Sequence, residues 1–239
     1  MTITTRTIDY DHNGAALEGV LAYDNTQEGP RPAVLVAHTW AGRKDFEVDM
    51  AKKLAGLGYA GFALDLFGKG VTGATNEECQ ALIDPLLADR AMLQARLLHI
   101  VDVVKNAPEV DAGKIGALGF CFGGLCVLDI ARTSADVKAV ASFHGLFNAP
   151  GNTGGNKIKA KVIAFHGYDD PMAPPDAMVG LANELTKGGA DWQIHAYGGT
   201  MHAFTNPQAN DPGFGTVYSQ TATDRSWASL VEFLAECFA

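Results

Sequence analysis

Residues 119–124 read Gly-Phe-Cys-Phe-Gly-Gly, a cysteine between two phenylalanines fenced by glycines. A nucleophile held on a sharp strand-to-helix turn needs small residues two before and two after it, so that strand and helix can approach. Gly119 and Gly123 meet that need around Cys121. Such a turn also sets Cys121 at a helix N-terminus, where the dipole favours a thiolate. The competing reading is a small buried cysteine among tight glycine packing. Cys126, five residues further on and inside the helix, fits that second description.

Two later stretches supply partners for a nucleophile. HGYDDPMAP (166–174) holds an adjacent pair of acids, Asp169 and Asp170. Either could orient a histidine, and an Asx-turn before a helix would also use them. GGTMHAF (198–204) holds His202 in a loop before the last helix. Alone, each of these reads as an ordinary loop. Together they give the chain order nucleophile, acid, base, which is the order of an α/β-hydrolase triad. AHTWAG (37–42) follows an earlier strand. In that architecture its loop donates one N–H to an oxyanion hole, and the residue after the nucleophile donates another. Those donors are the N–H groups of Trp40 and Phe122.

The elements that must position these residues alternate along the chain. An N-terminal hairpin is expected from strands at 3–10 and 15–24 around the turn-like DHNG. Continuous apolar runs at 33–37, 60–64 and 161–165, with 114–118, 137–143 and 192–197, read as strands, several buried on both faces. Helical spacing marks 45–57, 76–105, 122–132, 175–187 and 220–236, with a break expected at Asp84-Pro85. Strands alternating with helices predict a mainly parallel central sheet with helices on both faces. The expectation is one α/β domain over residues 1–239, the hairpin included. Each triad candidate follows a different strand, at the carboxyl edge where open α/β sheets gather function.

Composition narrows the partners. The 239 residues carry a formal net charge of −9, which argues against a nucleic-acid or anionic-membrane surface. No run approaches a membrane span, and the N-terminus lacks a charged and then apolar leader pattern. None of the four cysteines forms a C-x-x-C pair, so reduced thiols in a cytoplasmic chain are the simplest expectation. There is no zinc-type spacing, and GKGVTG (68–73) lacks the Ser or Thr of a phosphate loop. His38, His144 and His166 each end a strand and are read as hydrogen-bonded structural histidines.

On GFCFGG, HGYDDPMAP and the H-x-F of GGTMHAF, the chain resembles the dienelactone hydrolase family, the cysteine branch of the α/β-hydrolases. GYAGFALDLFGKG (58–70) is similar to a further family segment, and the likeness runs from about Pro32 to Leu234. The resemblance implies a Cys121–His202–Asp170 triad, because the family's acid stands four residues before a proline, here Pro174. It implies hydrolysis of a small ester or lactone through a thioester, with no metal or organic cofactor. Two positions depart from the family's prototypes. Thr39 stands where they carry a glutamate against the resting thiol, and Asn206 where they carry an arginine for the substrate carboxylate. Both departures argue against dienelactone itself. Arg43, Lys69, Arg90 and Arg96 are possible replacement cations. Thr39, Phe120, Phe204 and Asn206 are expected in the substrate pocket. Other classes of function on this fold are a thiol redox or sensor protein, or a binding protein with an idle triad.

Overall fold

The computed structural model describes residues 1–239, which form two compact units, Met1–Leu118 and Gly119–Ala239. In the first, β1 (Ile3–His12) and β2 (Ala15–Asp24) pair antiparallel across Asn13-Gly14. Both turn residues have positive φ, 54° and 78°, the two-residue geometry that Asn-Gly favours in a twisted hairpin. β3 (Arg31–Ala37), α1 (Asp45–Ala55) and β4 (Ala60–Ala63) form a β-α-β unit with β3 parallel to β4. β2 joins β4 from the other side, antiparallel, so these strands lie in the order β1-β2-β4-β3. β4 is buried along its whole length, as an internal strand requires.

The long helical stretch is two helices, α2 (Asn76–Ala88) and α3 (Arg90–Lys105). The break lies at Asp89, not at the expected Asp84-Pro85, and Pro85 sits inside α2. Asp89 leaves helical geometry, and its carboxylate accepts the Met92 N–H at 2.9 Å. That N-cap starts α3, so the cap rather than the proline sets the boundary. β5 (Val110–Phe120) then leads into the second unit.

There α4 (Phe122–Arg132) is buried along its entire length. β6 (Ala139–Phe143), β7 (Lys161–Gly167) and β8 (Trp192–Tyr197) run parallel in that order, with α5 (Pro175–Lys187) between the last two. A small pair, β9 (Asn210–Asp211) and β10 (Thr216–Val217), precedes α6 (Gln220–Phe238). Close approach at Gly124 seats α4, since a Cβ there would lie 2.7 Å from both Gly145 Cα and Ser142 Oγ. At the other end of α4, buried Arg132 is paired with Asp129 at 3.2 Å and Glu184 at 2.7 Å. No helix is long and apolar enough to cross a membrane.

Candidate active site

Cys121 sits between β5 and α4 with φ 56° and ψ −116°, a conformation few non-glycine residues adopt. The strain is held by its surroundings. The Cys121 N–H donates to the Phe143 carbonyl at 3.1 Å, and the Cys121 carbonyl accepts from Gly124 N–H at 2.9 Å. A Cβ on Gly119 would lie 2.1 Å from the Gly123 carbonyl oxygen, so nothing larger than glycine fits there. This is the tight strand-to-helix turn that the glycine spacing predicts. The thiol is partly exposed, whereas Cys126 is fully buried within α4. All four cysteines are free thiols.

The loops that carry Asp170 and His202 are joined along their backbones. Tyr168 N–H donates to Tyr197 O at 2.9 Å, and Asp169 N–H to Thr200 O at 3.0 Å. Gly167 allows the approach, because a Cβ there would fall 2.5 Å from Thr200 O and 2.6 Å from Met201 O. Asp170 is buried, and its Oδ2 lies 2.7 Å from His202 Nδ1. Its Oδ1 accepts the Met172 N–H at 2.8 Å, which fixes the carboxylate plane. Asp169 is exposed, so of the adjacent pair only Asp170 meets the imidazole.

His202 is almost fully buried. Burial alone would lower its pKa, but the neighbouring Cys121 sulfur and then the Asp170 carboxylate outweigh this and raise it to about 10. Its Nε2 makes no aligned hydrogen bond to the protein, although the Cys121 side chain is close enough to stabilise the imidazolium by charge and by hydrogen bonding. Such contacts are commonly loose before a substrate is bound. With Nδ1 committed to Asp170, Nε2 is the nitrogen left for proton transfer.

Two further histidines lie close by. His144, with φ 37° at the end of β6, meets His202 edge-on at 5.1 Å between ring centres. Its Nε2 lies 2.8 Å from Thr205 Oγ1. His166 is fully buried on β7, against Phe147, and neither ring nitrogen has a hydrogen-bond partner. The expectation of a hydrogen-bonded histidine therefore fails at His166. Burial lowers the pKa of both, and the His202 charge lowers them further. His38 does match that expectation: its Nδ1 donates to Thr39 O at 2.6 Å, and its Nε2 accepts Leu66 N–H at 3.2 Å.

The expected pocket residues behave differently. Phe204 is fully buried, wedged between His144 and Tyr197 at 5.1 and 5.7 Å. Phe120 is equally buried and packs on Phe143 at 4.9 Å. Both rings serve the core. Asn206 is exposed, and its side-chain oxygen accepts the Gln208 N–H in an Asx-turn. Phe122 is the first residue of α4 and is buried. In the first unit, Thr39 and Trp40 are partly exposed on the loop between β3 and α1. Arg43 and Lys69 are both engaged by Glu18, and Arg96 is buried with Nη1 on the Leu66 carbonyl. A cavity of about 670 Å³ beside Phe147, Ile158, Leu181 and Lys187 includes no triad residue in its walls.

The segment that supports the main chain of His202 is not legible in the sequence. His202 N–H donates to Gly215 O at 3.0 Å, and its carbonyl accepts from Val217 N–H at 3.1 Å. Strands of two residues carry no periodicity, so β9 and β10 leave only the turn-rich DPGFG (211–215) as a signal.

The family model for the dienelactone hydrolase family matches residues 17–238. The chain belongs to the dienelactone hydrolase family. It has the family's α/β-hydrolase fold, a mostly parallel sheet with an antiparallel N-terminal hairpin, and it is a carboxylic-ester or lactone hydrolase. A dienelactone hydrolase-like promiscuous phosphotriesterase from metagenomic libraries is 34% identical, with TM-score 0.93 over 99% of both chains. The structure described as m3DLH is 32% identical, with TM-score 0.92 over 99% of both chains. A protein of Aquifex aeolicus named "Putative carboxymethylenebutenolidase" is 27% identical over 95% of this chain and 96% of its own.

Proposed function

We propose that this family member cleaves small activated esters or enol-lactones with Cys121 as nucleophile, His202 as general base and acid, and Asp170 as the group that orients His202. The observation that carries the reading is the division of the imidazole. Nδ1 is held by Asp170 at 2.7 Å, while Nε2 is uncommitted and sensitive to the Cys121 charge. In the first step the Cys121 thiol gives its proton to His202 Nε2 and its sulfur bonds to the carbonyl carbon. The bond to the leaving oxygen then breaks, and that oxygen takes a proton from His202. In the second step His202 accepts a proton from water, hydroxide adds to the thioester, and the carbon–sulfur bond breaks to release the acid. Asp170 keeps the imidazole in the useful tautomer and stabilises its cation. The Phe122 N–H, at the first turn of α4, is proposed as an oxyanion donor; losing one such donor typically costs about 10²–10³ in rate.

A thiolate is a good leaving group as well as a good nucleophile. The substrate's own leaving group must compete with it when the tetrahedral intermediate collapses. Enolates and phenolates do so, whereas alkoxides and amines do not. The substrate class follows from this competition. A redox role for Cys121 is disfavoured, because its nearest cysteine in sequence, Cys126, is buried inside α4.

A second activity is also proposed, slow hydrolysis of neutral aryl phosphotriesters. A relative 34% identical over nearly the whole chain is described as a promiscuous phosphotriesterase. Sulfur would bond to phosphorus, expel the aryloxide, and yield to water.

The test is hydrolysis of p-nitrophenyl acetate by the wild type and by Cys121→Ala. A rate reduced to background in the variant supports the mechanism. An unchanged rate overturns it.

A further inference from the structure

Gly215 is buried among exposed neighbours, Asp211 to Phe214, on the segment that returns the chain toward α6. Its φ is +85°, and a Cβ there would lie 2.2 Å from Pro171 Cγ and 2.7 Å from Pro171 Cδ. Pro171 directly follows Asp170. The Gly215 carbonyl also accepts the His202 N–H at 3.0 Å, and two residues later Val217 N–H donates to His202 O at 3.1 Å. One residue therefore touches the acid loop with its bare α-carbon and the base loop with its carbonyl.

We propose that Gly215 is a positioning residue that fixes the separation of Asp170 and His202. The inference rests on the reading of that pair as catalytic. A side chain at position 215 must push Pro171 away or drag its own carbonyl back. The first movement displaces Asp170 and the second displaces His202. Either one lengthens the 2.7 Å contact between them. A displacement near 1 Å in a catalytic group can cost about 10² in rate.

The experiment compares Gly215→Ala, Gly215→Asn, Pro171→Ala and the double variant Pro171→Ala/Gly215→Ala. Asparagine tolerates positive φ, so G215N keeps the backbone relaxed while retaining the added Cβ. The readouts are kcat and KM on p-nitrophenyl acetate, and the NMR resonance and pKa of the His202 ring. The expected result is a kcat loss of about tenfold or more with KM nearly unchanged in G215A and G215N, together with a shifted His202 Nδ1–H signal. P171A should restore most of the loss, because the Cγ and Cδ that meet the new Cβ are gone. If G215A does not fold, G215N and the double variant carry the comparison. Wild-type kcat and an unmoved His202 resonance in folded G215N would overturn the proposal, as would no recovery in the double variant. The His202 signal does not require Cys121 chemistry, so failure of the thioester mechanism would be distinguishable from failure here.

Discussion

In the proposed mechanism, charge and hydrogen bonding divide the work among three side chains. Asp170→Asn retains the shape of the contact but removes its charge and permits the wrong imidazole tautomer. The expected loss in kcat/KM on p-nitrophenyl acetate is about 10²–10⁴-fold, while exposed Asp169→Asn stays within about twofold. His202 provides a second check. Burial lowers its pKa, and the Cys121 charge is the strongest influence in the other direction. Cys121→Ser replaces that sulfur with a hydroxyl that does not ionise in this range, so NMR titration should find the His202 pKa below about 10. Cys121 and His202 are legible in the sequence, because glycine fencing and chain order are local features. Residue type cannot separate Asp169 from Asp170. The spacing of Asp170 to Pro174 in the family pattern favours Asp170, and the structure buries that carboxylate and leaves Asp169 exposed. Phe120 and Phe204 are likewise placed by packing, since proximity in sequence to a site does not tell which way a side chain faces, and both are buried against neighbouring rings.

Among the secondary-structure elements, the turn at Cys121 is the most demanding. Gly119→Ala would set a methyl 2.1 Å from the Gly123 carbonyl, a backbone atom with little room to move. Overpacking of this kind costs about 1–3 kcal/mol, occasionally more. A lowered thermal midpoint and reduced activity are expected together, measurable by thermal melts and esterase assays. Asp89→Ala, which removes the cap on α3, should cost about 0.5–2 kcal/mol in chemical denaturation and leave kcat unchanged. The long strands and helices are legible because they carry strong periodicity. The break between α2 and α3 was expected at a proline, yet the chain stops at a side chain that can cap. β9 and β10 have too few residues to show a pattern, although they hold the main chain of His202.

Across the whole protein, histidine burial links stability to pH. His38, His144 and His166 are buried with lowered pKa values, His38 to about 4. Between that value and the ordinary 6.5, the unfolded chain binds protons that the folded chain refuses. The His38 contribution is thus intact above 6.5 and is lost as pH falls toward about 4, and His144 and His166 act in the same direction. His202 acts in the opposite direction. Its raised pKa favours folding below 6.5, and that contribution disappears as pH rises through about 10. Thermal midpoints should therefore fall on both sides of neutrality. His166→Phe, which replaces a ring without hydrogen-bond partners, should flatten the acid side. An acid limb equally steep in that variant would contradict the assignment. The overall α/β order and the candidate triad can be read from 239 residues. The electrostatic coupling cannot, because it depends on burial.

The proposed mechanism requires a covalent intermediate on Cys121. Rapid quench of the wild type with p-nitrophenyl acetate, followed by intact mass and peptide mapping, tests it most directly. An acetyl group on the peptide containing Cys121, formed and lost at rates compatible with turnover, is the predicted result. Full turnover with no adduct at Cys121, or an adduct on another residue, would contradict the mechanism.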